Sequence, residues 1–166
     1  MSYAIEGLIY CYRKNLDYGP KLVSDLTADQ MVAQPVSGLA IPANHPAWIF
    51  SHLNVYLPII EAMIQGQTFA DPKDHPFGMQ SRPQNDSAIY ASREELVDTF
   101  VEGHQNVIRL LSAADDSLLG QPVSLARWQP IMPNLGIALP YLMLNHENSH
   151  LGQLSTWRRV QGLPPV

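Results

Sequence analysis

The apolar positions of this chain fall into four stretches with a helical repeat, separated by polar, proline-rich links. In the first, Ile5, Leu8, Ile9, Tyr12, Leu16, Leu22, Val23 and Leu26 recur at helical spacing, while Glu6, Arg13, Lys14, Asp17 and Lys21 fall mostly on the other side. That period predicts an amphipathic helix from about 2 to 25. Gly19-Pro20 should kink or weaken it, because proline lacks an N–H and crowds the preceding turn. Thr27-Ala28-Asp29-Gln30 is a capping-box pattern and predicts a short helical turn. A Pro/Gly-rich connection follows, from Pro35 to Asn44.

The second long helix is expected to open at Asn44 or His45 as its cap, with Pro46 in the first turn, where a missing N–H costs little. Its stripe is Trp48, Ile49, His52, Val55, Tyr56, Ile59, Ile60 and Met63; Pro58 predicts a kink and Gly66 the end. Residues 67–91 are polar and rich in Pro, Asn, Asp and Ser, long for a connection in a compact domain, and read as a crossover or a lid. Ser92 and Glu95 form a second capping box, opening a third helix with the stripe Leu96, Val97, Phe100, Val101, His104, Val107, Ile108 and Leu111. After an irregular link from about Asp115 to Asn134, a fourth helix is expected from about Gly136 to Gln161, with Pro140 near its first turn and Gly162 as its stop. Four such helices and two long links predict an all-α four-helix bundle with long connecting loops, one domain over residues 1–166.

Composition narrows the function classes. Apolar residues are 46% of the chain and charged residues 15%, enough to build a core and too little charge for disorder. A net charge of -5 without a Lys/Arg cluster argues against nucleic acid or an anionic membrane as partner. No 18 consecutive residues are apolar, so no membrane span is expected, and with a single cysteine and no secretory leader pattern the expected compartment is cytoplasmic. That cysteine, Cys11, sits among aromatic and aliphatic neighbours and is expected in the core rather than in catalysis.

Six histidines carry the candidate chemistry: 45, 52, 75, 104, 146 and 150. His146 and His150, four apart on one helix, share a face and a spacing that can chelate one metal. His52 lies on the apolar stripe of its own helix, so three imidazoles can converge, leaving a fourth position for water, a substrate oxygen or a thiol. The competing reading is three core histidines whose N–H groups are satisfied by other partners. His104, also on an apolar stripe, is a fourth ligand, a group behind a ligand or a core residue, the last two ranked first; His45 and His75 are expected to be solvated.

His146-Glu147-Asn148-Ser149-His150 also fits the H-E-x-x-H pattern of zinc proteases, in which the glutamate is the base. The 16 residues after His150 include no His, Asp, Glu or Cys, and Gln153 and Thr156 stand where a metzincin needs Gly and His, so the protease reading fails. Glu147, one residue past His146, should turn about 100° away from the metal side.

Trp48-Ile49-Phe50-Ser51-His52-Leu53, together with His146, His150-Leu151-Gly152-Gln153-Leu154 and Trp157-Arg158-Arg159-Val160-Gln161-Gly162, resembles the ligand segments of the DinB/YfiT-like superfamily. The resemblance implies an up-up-down-down four-helix bundle, often dimeric, with a three-histidine site for a divalent metal, zinc or nickel, at His52, His146 and His150. That family includes enzymes that use low-molecular-weight thiols, such as mycothiol-dependent maleylpyruvate isomerase and bacillithiol transferases. Around the ligands, Gln153 is expected to orient a group through its amide, Gly152 to allow close helix packing, Trp48 and Trp157 to lie in the core, and Arg158 and Arg159 to serve the helix C-terminus.

The leading expectation is a metal-dependent enzyme that activates a thiol or a water against a small-molecule electrophile, an S-transferase or a hydrolase, working as a homodimer. Tyr56, Glu147 and Gln153 are its candidate catalytic residues. The alternative is a non-catalytic dimeric bundle with a structural or incidental metal, acting as a binding or stress-response module. His104 separates the two, because a fourth protein ligand would close the site.

Overall fold

The computed structural model describes residues 3–36 and 42–166, so Ser2 and part of the Pro35–Asn44 connection lie outside the described residues. It is all-helical: α1 (Tyr3–Tyr18), α2 (Ala28–Met31), α3 (Pro46–Ile64), α4 (Arg93–Ala113), α5 (Leu135–Pro140) and α6 (Glu147–Val160). A π-helical turn, Tyr141–His146, joins α5 to α6. No strand occurs among the described residues, only an isolated bridge between Pro122 and Asn134. α4 packs on α3 and α1, and α6 closes the bundle against both.

The capping boxes form as their residue types require. The Thr27 and Ser92 hydroxyls accept the N–H of Gln30 and Glu95, and both long side chains bond back to the cap. α1 stops at Tyr18, short of the expected 25, and a 3₁₀ turn at Pro20–Leu22 takes over. Pro20 has no N–H to continue the ladder, so the expected kink is a break. Pro58, where a kink is expected, does not end its helix: α3 runs through it to Ile64. Gly66, at φ 67, ends α3, with its own N–H on the Met63 carbonyl and that of Gln67 on Ala62.

The expected fourth helix is the largest departure. It is a rod of three pieces, with six π-helical residues inserted directly after Pro140. Proline cannot donate to the turn before it, and one extra residue in the next turn rotates all that follows by about 100° relative to an unbroken α-helix.

α3 is the one helix among the described residues long and apolar enough, by length and composition, to cross a membrane; 67% of that window is buried inside the bundle. A helix apolar on nearly every side is what the centre of a bundle needs.

The apolar core is split. One cluster gathers Ile5 to Tyr12, Tyr56 to Met63, Val107 to Leu111 and Val123 to Met143; the other gathers Leu22 to Met31, Ala47 to Leu53, Tyr90 to Phe100 and Leu151 to Trp157. At or beside the boundary between them, the three long helices and the C-terminal rod each carry buried or half-buried polar residues: Asn15 in α1, His52 in α3, His104 in α4, and His146, Glu147 and His150 at the π turn and α6. A polar layer thus crosses the middle of the bundle. Cys11 is exposed, not in the core, because the buried face of α1 is Ile5, Leu8, Ile9 and Tyr12.

Candidate metal centre

His52 comes from the middle of α3, His146 from the last position of the π turn, and His150 from the next turn along α6. One ring nitrogen from each lies within 4.8 Å of the others, and the Nε2 atoms of His52 and His146 are 3.0 Å apart. Two nitrogens about 2.0–2.1 Å from a tetrahedral ion are separated by roughly 3.3 Å, so the spacing suits one ion.

The outer partners decide which nitrogen faces inward. His52 donates from Nδ1 to the Phe77 carbonyl at 2.7 Å, leaving a lone pair on Nε2. Its ring is stacked on Trp48, 4.6 Å away at 11°, with Tyr56 edge-on at 5.1 Å. His150 donates from Nδ1 to Gln153 Oε1 at 3.2 Å, and Asn44 Nδ2 donates to the same oxygen at 2.9 Å. This is how a protein orients metal-binding imidazoles, by a hydrogen bond on the nitrogen away from the ion. His146 is the exception, since its Nδ1 is buried without a hydrogen-bond partner among the described residues. The residues fit a metal in donor type, spacing and the orientation of two rings of three.

The irregular segment 77–84, a strap that holds His52 through the Phe77 carbonyl, is hung along α3 by three ring N–H groups at positions i, i+3 and i+7. His45 Nε2 donates to Gln84 O at 2.9 Å, Trp48 Nε1 to Ser81 Oγ at 3.1 Å and His52 Nδ1 to Phe77 O. His45 is therefore buried rather than solvated; its Nδ1 caps α3 by accepting the Trp48 N–H. His75 is exposed, as expected. No side-chain pattern could have announced the Phe77 carbonyl, because the contact is made by backbone in an irregular segment.

His104 is not aimed at the cluster. Its Nδ1 donates to Phe100 O at 2.7 Å and its Nε2 meets Glu147 Oε1 at 3.0 Å. Glu147 faces that core pocket, away from the histidine cluster, and burial raises its pKa while His104 opposes the rise. Tyr56 packs 4.7 Å from the His146 ring. Burial raises the pKa of its hydroxyl, so it stays protonated at neutral pH. Gln153 is exposed and reaches the site through His150; Gly152 is exposed with nothing within 4 Å of an added Cβ, so it mediates no packing. Trp48 and Trp157 are buried. Arg158 lies in the last turn, yet it is 1% exposed and bound to Asp25 and to the Leu22 and Pro164 carbonyls, so it neither caps the helix freely nor faces the cluster.

Burial holds His52 down to about 4, and burial with the neighbouring His150 and His52 holds His146 down to about 3. Both rings are neutral at pH 7, the form a metal requires. An unfolded histidine titrates near 6.5, so below that pH the unfolded chain takes up protons that the folded chain refuses. Stability is therefore full above about pH 6.5 and is lost as pH falls toward 4 and then 3. In chelator-treated protein, each of the two rings should contribute a slope of up to about 1.4 kcal/mol per pH unit in that window. Urea titrations at pH 7.0, 5.5 and 4.5 measure it; equal midpoints at all three would mean the rings are not packed as neutral groups.

No curated protein matches this chain. The model of the DinB superfamily matches it over residues 12–154, a span that includes His52, His146 and His150 and all the helices except the first half of α1 and the last turns of α6. The chain is a member of the DinB superfamily.

Proposed function

We propose that His52, His146 and His150 hold one divalent metal ion, zinc or nickel, and that the protein is an enzyme that turns a low-molecular-weight thiol or a water against a small electrophile. The observation that carries this reading is the convergence of three neutral imidazoles, two of them oriented by hydrogen bonds on the outward nitrogen. A divalent ion at such a site lowers the pKa of a thiol or water bound to it.

The chain's own residues supply the rest. Trp48 and Tyr56 clamp the His52 ring and keep the site's inner wall apolar. The Tyr56 hydroxyl, protonated at neutral pH, can donate a hydrogen bond to a bound substrate. Gln153 and Asn44 fix His150 from outside. Against a closed structural site stands His104, already occupied by Glu147 and Phe100; among the described residues the donor set stops at three.

Metal content by plasma mass spectrometry on tag-free protein tests this, with His52→Ala and His146→Ala alongside. About one metal per chain is expected, lost in both variants while their helical signal is retained. Absence of metal, with no uptake on titration with zinc or nickel, would make these core histidines and remove the chemistry on which the enzyme reading depends.

A further inference from the structure

Behind the π turn, on the side of the rod away from the histidine cluster, lies a second polar group sealed in the core. Glu147 is 3% exposed, His104 0% and Asn15 4%, and they come from α6, α4 and α1. With His104 Nδ1 committed to the Phe100 carbonyl, its Nε2 and Glu147 Oε1 can meet at 3.0 Å only with a proton on the line between them. The imidazole is held between the rings of Tyr12, stacked at 4.1 Å, and Phe100, at 3.9 Å. Asn15 Nδ2 donates to the carbonyl of Met143, inside the π turn, at 3.1 Å. Buried polar groups of this kind are costly where apolar side chains of similar volume would serve. The proposed chemistry uses none of them.

Their use follows from the asymmetry among the three histidines. Phe77 orients His52 and Gln153 orients His150, whereas His146 Nδ1 has no hydrogen-bond partner among the described residues. With no hydrogen bond on that nitrogen, the His146 ring takes its direction from the backbone that carries it and from the Tyr56 ring packed 4.7 Å away. That backbone is the π turn, whose extra residue sets, by about 100°, which way positions 146 and 150 face. Asn15 grips the turn three residues before His146, and the Glu147–His104 pair grips it one residue after.

We infer that Glu147, with His104 and Asn15, positions His146 for the metal by clamping the π turn from the side opposite the ion. The glutamate of the H-E-x-x-H pattern is then a positioning residue, directed away from the metal rather than toward it. This inference rests on the metal reading above.

Cobalt(II) serves as the probe, because its visible absorption reports ligand geometry and its titration reports affinity. Glu147→Ala and Asn15→Ala are expected to weaken cobalt binding about 10- to 100-fold, the usual range for loss of an outer partner, and to shift the visible bands. Glu147→Gln keeps an N–H to donate to His104 Nε2 and should stay within about threefold of the parent, with its spectrum. Parent-like affinity and spectrum in both alanine variants would overturn the inference and leave the metal reading intact. So would a Glu147→Gln variant that falls as far as Glu147→Ala. Should the parent itself take up no cobalt, the metal reading fails. Hydrogen exchange of metal-free protein then tests the clamp by itself: amides of residues 141–147 should exchange at least about tenfold faster in Glu147→Ala, with those of α3 unchanged. Equal rates would overturn it, and Asn15→Ala, which removes the bond to the Met143 carbonyl and keeps both Glu147 and His104, gives the same readout if Glu147→Ala folds poorly.

Discussion

Gly78→Ala is expected to weaken metal binding by about 10- to 100-fold, although residue 78 contributes no ligand. A Cβ there would sit 1.7 Å from the Pro72 carbonyl oxygen and 2.9 Å from its carbon, both backbone atoms that cannot swing aside. The turn from 72 to 78 must open, and with it the Phe77 carbonyl that holds His52 Nδ1 at 2.7 Å. His52 would then be free to rotate or to present the wrong tautomer. Overpacking of this kind also costs stability, about 1–3 kcal/mol. Competition against a chromophoric zinc chelator measures the affinity, and Gly66→Ala is the control. Alanine at 66 would be strained by the positive φ, but its Cβ would meet nothing within 4 Å and lies away from the site. Unchanged affinity in Gly78→Ala would show that the strap does not govern His52.

Arg158→Met should lower the unfolding free energy by about 3 kcal/mol without touching the histidine cluster. The guanidinium is 1% exposed and satisfies two backbone carbonyls, Leu22 at 3.0 Å and Pro164 at 3.1 Å, besides its forked bond to Asp25. Methionine fills much of the volume but leaves both carbonyls unmatched, the costly half of any broken buried pair. Asp25→Asn should cost far less, about 1 kcal/mol, because its side chain is 45% exposed and Arg158 keeps its carbonyls. The Arg158 guanidinium holds the Asp25 pKa below its ordinary value, so what the pair contributes is present above about pH 3.8 and is lost as pH falls through the folded value. Denaturant unfolding of both variants at pH 7 gives the comparison. Equal losses would mean that the ion pair, not the carbonyls, is what Arg158 is there to make.

Helix content and ligand convergence were legible because they depend on side-chain type at a fixed period. The stripe of α4 and both capping boxes can be read residue by residue, and His52, His146 and His150 do come together. What was not legible depends on backbone. The π turn has no side-chain code, and Pro140, its nearest signal, reads equally well as an ordinary first-turn proline. The strap's carbonyls at Phe77 and Gln84 belong to irregular chain, so the burial of His45 could not follow from its position at a helix mouth. His104 did carry a signal: an imidazole on an apolar stripe must find a partner, and Glu147 is the acid whose helix position turns it inward. Cys11 shows the limit of local context, since apolar neighbours in sequence say little about which face of a helix a residue occupies.

His52 and His146 are separated by 94 positions, and they meet only when α3 and the C-terminal rod have docked. An unfolded chain can offer an ion no more than fragments of this donor set, so an ion held by all three rings would bind the native state almost exclusively. By mass action it would stabilise the fold in proportion to the logarithm of its free concentration, about 2.7 kcal/mol at a hundred times the dissociation constant. It would behave as a removable crosslink between α3 and the C-terminal rod. The polar layer that interrupts the core, a weak seam in the empty protein, would then become the place where the two apolar halves are tied together, and cellular metal supply would set how long the folded chain survives.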